Sequence, residues 1–338
     1  MTTKEGLIFD VKGVIHPPDR VIAYLRYIPD FLVEKNAFKE RRKSYIKVYM
    51  LEEREKELRR RYPWYLYPSK CLGVTIQAVP HEQILQIHDP IEKFQKIAQS
   101  ISADLDPLSK YCLDLGQAIC SEAKIPPMNM GVSGSVLVDL HTKHSDIDLV
   151  VYGSIEGRRV YDLMTKLYTQ TARIEGLSFY RDLDLRKLYR FRSISTPISF
   201  NDFVRVETKK VLQGLYKGYD FYIRLVCKPE DTGLNFGDQC FQDCGDVVLK
   251  ARIANDSKRF FTPCIYDIED VIILSPPQLN INIETIESFR GRFCDAARIG
   301  EQVRVQGKLE QITDQKTGRK WYRVLLGRDR RDFMVIEE

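Results

Sequence analysis

Gly131-Val132-Ser133-Gly134-Ser135 and, after ten intervening residues, Asp146-Ile147-Asp148-Leu149-Val150-Val151 read as a short strand, a small-residue turn and a second strand. Along a strand, residues two apart point to the same face, so Asp146 and Asp148 present both carboxylates to one side, while Ile147 and Leu149 face the other. Gly134 allows close backbone approach, and the turn opens N–H groups towards an anion. The segment therefore predicts a sheet edge that offers carboxylates to a hard cation beside a cradle for phosphate.

Outward from that stretch, 338 residues suffice for more than one domain. Hydrophobic content of 43% with 29% charged residues is that of an ordinary globular chain. No apolar run reaches membrane-spanning length, and Met1-Thr2-Thr3-Lys4-Glu5 lacks the apolar heart of a signal peptide. A cytoplasmic protein with no membrane partner and reduced thiols is expected. Cys240 and Cys244 make one close pair without a second, which favours buried thiols over zinc. The net charge of +5 is concentrated: Lys35 to Arg61 carries eleven Lys and Arg against five Glu. That segment reads either as a surface for phosphate backbones or as a solvated helix with pairs such as Glu52–Lys56 and Glu55–Arg59.

Residues 1–88 are expected to form a wide-looped β-hairpin followed by the basic helical region, with Leu51, Leu58 and Tyr62 as the helix stripe. The aromatic run from Tyr62 to Tyr67 is read as packing. Helix starts are marked by Asp89-Pro90 and Asp106-Pro107. The first helix has an apolar face running from Ile91 to Leu105, and the second has Leu108, Cys112, Leu115 and Ile119 in register. A helix over 157–171 follows the Asp146–Tyr152 strand, then an unassigned polar stretch from Arg181 to Lys210 and a strand at Phe221–Val226. From residue 240 onward the texture is β-rich, with strands at 247–253, 260–261, 271–274, 303–309 and 321–326. The expected fold class is α+β, a mixed sheet with flanking helices over 89–239 and a C-terminal barrel-like module over 240–338.

Transfer of a nucleotidyl group needs a held triphosphate, an exposed α-phosphorus and neutralised oxygens. Two divalent ions about 3.5–4 Å apart commonly supply the neutralisation. Gly134-Ser135 followed by Asp146-Ile147-Asp148-Leu149 resembles the motif of the DNA polymerase β-like nucleotidyltransferases, over roughly residues 125–228. Within that superfamily the chain is similar to an archaeal predicted nucleotidyltransferase. The resemblance implies Mg²⁺ or Mn²⁺ on Asp146 and Asp148, a triphosphate on Gly134 and Ser135, and a third carboxylate from a later strand. Asp220, entering the strand in Tyr219-Asp220-Phe221, fits that role best, and Glu207 is the alternative. The partners expected are a nucleoside triphosphate and an acceptor hydroxyl, with nucleic acid among the candidates. The alternative is a non-catalytic nucleic-acid-binding protein on the same scaffold.

His141, His144, Arg205, Lys209 and Lys210 are weaker candidates for phosphate contact, and Asp139 for a further ligand. No Gly-x-x-x-x-Gly-Lys-Ser/Thr or Gly-x-Ser-x-Gly occurs, which excludes the common P-loop and hydrolase-elbow readings. The C-terminal module is expected to resemble an oligonucleotide/oligosaccharide-binding barrel in general pattern. Arg319, Lys320, Trp321, Tyr322 and Arg323 are placed to stack on and neutralise a single strand.

Overall fold

Three β-sheets follow one another along the chain, each with its own buried cluster. The computed structural model describes residues 1–32, 41–42, 44–101, 104–193, 197–276 and 281–337, with the backbone alone for Arg41 and Arg42.

The first sheet has eight strands: β1 (Thr2–Thr3), β2 (Ile8–Val11), β3 (Arg20–Pro29), β4 (Arg41–Arg42), β5 (Tyr45–Lys47) and, after helix α1 (Leu51–Arg61), β6 (Leu66–Ser69), β7 (Val74–Pro80) and β8 (Ile84–Gln86). The β2–β3 pair is the expected hairpin, with Asp10 opposite Tyr24. Phe9, Ala23, Leu25 and Ile28 are buried against Leu58 of α1, against Tyr62 just past its end and against Tyr65. Tyr65 lies on Phe9 with ring centres 5.0 Å apart, so packing claims most of the aromatic run, while Trp64 is half-exposed. The charged face of α1 uses other partners than the expected pairs. Glu57 is buried and forms an ion pair with Arg61 at 3.2 Å, and Glu52 reaches Arg330 at 3.4 Å in the C-terminal module. Lys43 and most of the residues before it in the basic segment lie outside the described residues.

The second unit begins with α2 (Pro90–Gln99) and α3 (Pro107–Ala123). Asp89 and Asp106 cap them, each accepting two backbone N–H bonds, worth ~1 kcal/mol apiece. The first helix stops earlier than its apolar period predicts. Ser100 turns extended and its hydroxyl donates back to the Lys96 carbonyl at 2.9 Å, leaving Ile101 exposed beyond the helix.

Then come β9 (Met130–Val132), α4 (Gly134–Leu137), β10 (Ile147–Tyr152), α5 (Ser154–Tyr168), β11 (Leu177–Ser178), α6 (Asp182–Arg192), α7 (Phe200–Glu207), β12 (Gln213–Tyr216), β13 (Tyr219–Val226) and the short α8 (Pro229–Thr232). The sheet runs β11-β12-β13-β10-β9, with β10 and β13 parallel and the other pairs antiparallel. Helices α3 and α5 cover its apolar face through Leu115, Ile119, Val160 and Met164. The stretch left unassigned from sequence holds α6 and α7. Helix α6 buries Leu185 alone among its residues, so it lacks the apolar stripe that a periodicity reading needs.

The C-terminal unit comprises β14 (Gln239–Lys258), β15 (Cys264–Ser275), β16 (Ile283–Ser288), β17 (Gln302–Asp314), β18 (Lys320–Leu326) and β19 (Phe333–Ile336). The ladder runs β14-β15-β16-β18-β17, and β17 pairs back with β14, closing a ring in which β16 and β18 are parallel. Phe260-Phe261, read as a strand, is instead a turn that plugs into the central unit. Phe260 stacks on Tyr161 with centroids 4.0 Å apart, and Phe261 sits so close to α5 that a Cβ on Gly157 would meet its ring at 2.6 Å. Cys240 lies beside Cys71 of the first unit rather than forming a pair with Cys244, which is exposed. Among the described residues no helix is long and apolar enough to cross a membrane.

Candidate functional site

The turn after β9 brings its glycine against the acidic strand. Ser133 N–H donates to the Asp148 carbonyl at 2.8 Å, extending the β9–β10 ladder to the turn. Gly134 then takes φ +64, and a Cβ built on it would lie 1.9 Å from Oδ2 of Asp148. A side chain is excluded there twice, by the left-handed backbone and by the carboxylate. Gly134→Ala is expected to cost ~1–2 kcal/mol from the backbone alone and to push Asp148 out of position. Thermal melting together with Mn²⁺ binding checks this, and an alanine variant that binds Mn²⁺ like the parent would contradict it.

The register places the three sequence-predicted acids on one sheet face, at the starts of the two interior strands β10 and β13. Ile147 pairs with Phe221 and Asp148 with Tyr222 across the parallel β10–β13 ladder. Asp220 is one residue before Phe221 in β13, and Asp146 is one residue before β10 begins, so both carboxylates stand just before the first pair of this ladder. Ile147, Leu149, Phe221 and Ile223 point into the core, so Asp146, Asp148, Asp220, Tyr222 and Arg224 share the opposite face. Asp146 and Asp220 are exposed and Asp148 is partly covered. Burial pushes the Asp148 carboxyl up, Arg224, Arg26 and Lys47 pull against that shift, and Asp10 adds to it.

The carboxylates do not converge on one point. Among the described residues no three His, Cys, Asp or Glu side chains are grouped to hold a metal ion. Asp220 accepts a 2.6 Å hydrogen bond on Oδ1 from the Tyr180 hydroxyl. Tyr180 was missed in the sequence because it lies between the two-residue β11 and α6, where no strand or helix period marks it. The donor set is nonetheless the hard oxygen set that suits Mg²⁺ or Mn²⁺, and the space a side chain at residue 134 would take is filled by the Asp148 carboxylate itself. Tyr180→Phe removes the bond that orients Asp220 and is expected to weaken Mn²⁺ binding about 10–100-fold, read by electron paramagnetic resonance titration. Unchanged affinity would make the Tyr180–Asp220 bond purely structural.

The structure assigns the other candidates elsewhere. Glu207, the last residue of α7, is buried and bonded by Arg192 at 2.7 Å, Lys210 at 2.7 Å and Gln213 at 2.6 Å, off the acidic sheet face. Arg205 bonds the Ile336 carbonyl, Lys209 pairs with Glu301, and Lys210 also donates to the Arg292 carbonyl. All three lysines and arginines thus tie α7 and its following turn to the C-terminal unit. His141 pairs with the capping Asp106 at 3.1 Å, His144 faces water, and Asp139, at φ +55, pairs with Lys93. Ser135 is buried in the first turn of α4, its carbonyl accepting from Leu140 N–H at 2.9 Å. Trp321 and Arg319 stack with 5.1 Å between the guanidinium carbon and the ring centre, at the β17–β18 turn. Arg323 is instead held by Glu287 and Glu310.

Residues of the first sheet, none of them anticipated in the sequence, also face this site. Ile8 and Tyr27 pack on Leu140, just past α4, and so turn the second face of the β2–β3 hairpin towards Asp148. Arg224 was legible in principle, since it continues the alternation Asp220, Tyr222, Arg224. The contribution of Asp10, Lys12 and Arg26 depends on long-range docking that no local pattern announces.

An uncharacterized protein of Methanocaldococcus jannaschii, MJ1086, is 28% identical to this chain over 336 residues, covering 98% of the chain and 95% of that archaeal protein. No family model matches the chain, and no solved structure matches it.

Proposed function

We propose that this chain is a nucleotidyltransferase of the DNA polymerase β-like type, using Mg²⁺ or Mn²⁺ to move a nucleoside monophosphate from a triphosphate to an acceptor hydroxyl. The observation that carries the reading is the Asp148 carboxylate lodged against Gly134, with Asp146 and Asp220 one residue before Ile147 and Phe221, the first pair of the parallel β10–β13 ladder. Asp146, Asp148 and Asp220 would hold the metal, which supplies charge neutralisation at the attacking and leaving oxygens when bound. The backbone at Gly134 and Ser135 would cradle the phosphates. Tyr180 holds Asp220 in orientation through its hydroxyl. In the reaction the acceptor oxygen bonds the α-phosphorus, pyrophosphate leaves with the electron pair of the broken P–O bond, and the acceptor proton passes to solvent or to a neighbouring carboxylate.

The closed ring of β14-β15-β16-β18-β17 supports reading the C-terminal unit as an oligonucleotide/oligosaccharide-binding type of barrel. The same ring, with carboxylates that do not converge, supports the second reading, a nucleic-acid-binding protein without transfer activity. The separating experiment incubates the full chain with Mn²⁺ and each α-³²P-labelled nucleoside triphosphate, with RNA, DNA and its own side chains as acceptors. Label joined to an acceptor supports transfer. Nucleic-acid binding without any incorporation or pyrophosphate release favours the second reading.

A further inference from the structure

Three units meet over the Arg224 end of the acidic sheet face. From the first sheet come Asp10, Lys12 and Arg26, on the hairpin face that Ile8 and Tyr27 turn towards the site. From the C-terminal unit comes Arg290, fixed by contacts on either side. A Cβ on Gly291 would meet the Tyr222 hydroxyl at 2.4 Å, and one on Gly13 would meet the Phe289 ring at 3.4 Å. Arg290 also donates to the Gly327 carbonyl at 3.2 Å. The groove named here is the open seam where these three units meet, and its side chains stay open to water: Asp10 keeps 51% of its side-chain surface and Lys12 30%, and Arg290 is exposed.

Cations outnumber the two carboxylates, Asp10 and Asp148, that lie among them. Lys12 pairs with Asp10, while Arg26, Arg224 and Arg290 bring further cations to the same place. Partial desolvation by the surrounding protein pulls the Arg290 guanidinium below its ordinary range although much of its surface stays open, with Arg26 and Arg224 adding to the shift, and Tyr24 and Asp10 opposing it. The same partial desolvation would raise the half-open Asp10 carboxyl, yet Lys12, Arg224 and Arg26 together bring it down to about 2. Arg54, which bonds the carbonyls of Val48 and Tyr49, is lowered to about 10 by burial and then by Arg26 and Arg290. Cations gathered at this density in a cleft repel one another and focus a positive potential on whatever enters.

Sheet order separates this groove from the glycine-serine turn. Gly134 follows β9 on one side of β10, and Arg224 stands on β13 on the other, with Asp148 between them. We infer that the groove formed by Lys12, Arg26, Arg224 and Arg290 binds a phosphate carried by the acceptor, so the acceptor is a phosphorylated molecule. This rests on the transferase reading for the word acceptor, whereas the phosphate site stands on the groove alone. The guanidinium groups hold the phosphate and leave the acceptor hydroxyl facing the Asp146–Asp148 edge, while the triphosphate lies on the Gly134 side.

The test uses the full chain with two probes, a fluorescein-labelled ten-nucleotide single-stranded RNA and ribose 5-phosphate, and separately a non-hydrolysable ATP analogue with Mn²⁺. In Arg290→Glu, binding of whichever phosphate probe the parent takes is expected to weaken at least tenfold. For the RNA, the dependence of log affinity on log salt should flatten by about one. Arg290→Lys should retain most of the binding, and the ATP analogue should bind both variants within about twofold of the parent. Binding of the RNA alone identifies a nucleic-acid strand as the source of the phosphate, and binding of ribose 5-phosphate identifies a small phosphate monoester. The inference is overturned if neither probe binds, if Arg290→Glu with a parental melting curve binds them unchanged, or if the ATP analogue is lost in parallel, which gives the groove to the triphosphate. Asp148→Asn, measured alongside, reports on the transferase reading independently: a parental affinity for the Mn²⁺–ATP analogue there counts against that reading and leaves the phosphate groove untouched.

Discussion

Asp146→Asn combined with Asp148→Asn is expected to reduce nucleotidyl transfer at least about a thousandfold while the fold persists. The magnitude follows from the several kcal/mol that a divalent ion contributes to a phosphoryl transition state, at tenfold for each 1.4 kcal/mol. The substitutions keep volume and shape, Asp146 is exposed, and Asp148 sits against Gly134 rather than within the apolar cluster. The melting temperature should therefore stay near that of the parent. It should rise slightly if anything, because burial disfavours the charged form of Asp148. The check is incorporation of α-³²P label with Mn²⁺ and circular dichroism on the same samples. Transfer at the parental rate in the double variant would place the chemistry elsewhere on the molecule.

Glu207→Ala should have the opposite signature, costing about 3–5 kcal/mol of stability. Its carboxylate is 4% exposed and holds Arg192, Lys210 and Gln213 in one network between α6, α7 and the C-terminal unit. Truncation leaves two cations facing each other without a counter-charge. Burial would raise the Glu207 carboxyl, but Arg192 and Lys210 bring it below its usual 4.5. Its contribution is therefore present in full above pH 4.5, and is lost as the pH falls through the lower folded-state value. Chemical denaturation as a function of pH checks both points: Glu207→Gln should be less stable at neutral pH and should lose less on acidification than the parent. A variant that melts like the parent but no longer transfers label would restore Glu207 as a site acid.

The acidic edge was legible because its information is local. A glycine, a two-residue alternation and apolar flanks fix where Asp146 and Asp148 point, and the two Asp-Pro steps fix the helix starts at 90 and 107. Asp220 was harder to read, since its place relative to Asp146 is set by a parallel ladder between strands some seventy residues apart. Helix α6 was hidden by its charged surface, whereas α7 carried a readable signal, the Ser199 cap and the Phe203–Val206 face, that the reading passed over, and Phe260-Phe261 looked like a strand because a turn that docks into another unit carries the same aromatic composition as one. The ring closure of β14 onto β17 and the approach of Asp10, Lys12 and Arg26 to Asp148 are tertiary facts with no short-range signal.

The most direct measurement is anomalous diffraction from a crystal soaked with Mn²⁺ and a non-hydrolysable nucleoside triphosphate. An anomalous peak bound by oxygens of Asp146 and Asp148, with Asp220 turned inward and the triphosphate against Gly134 and Ser135, is the predicted result. Manganese located away from these carboxylates, or a triphosphate bound without touching that turn, would contradict it.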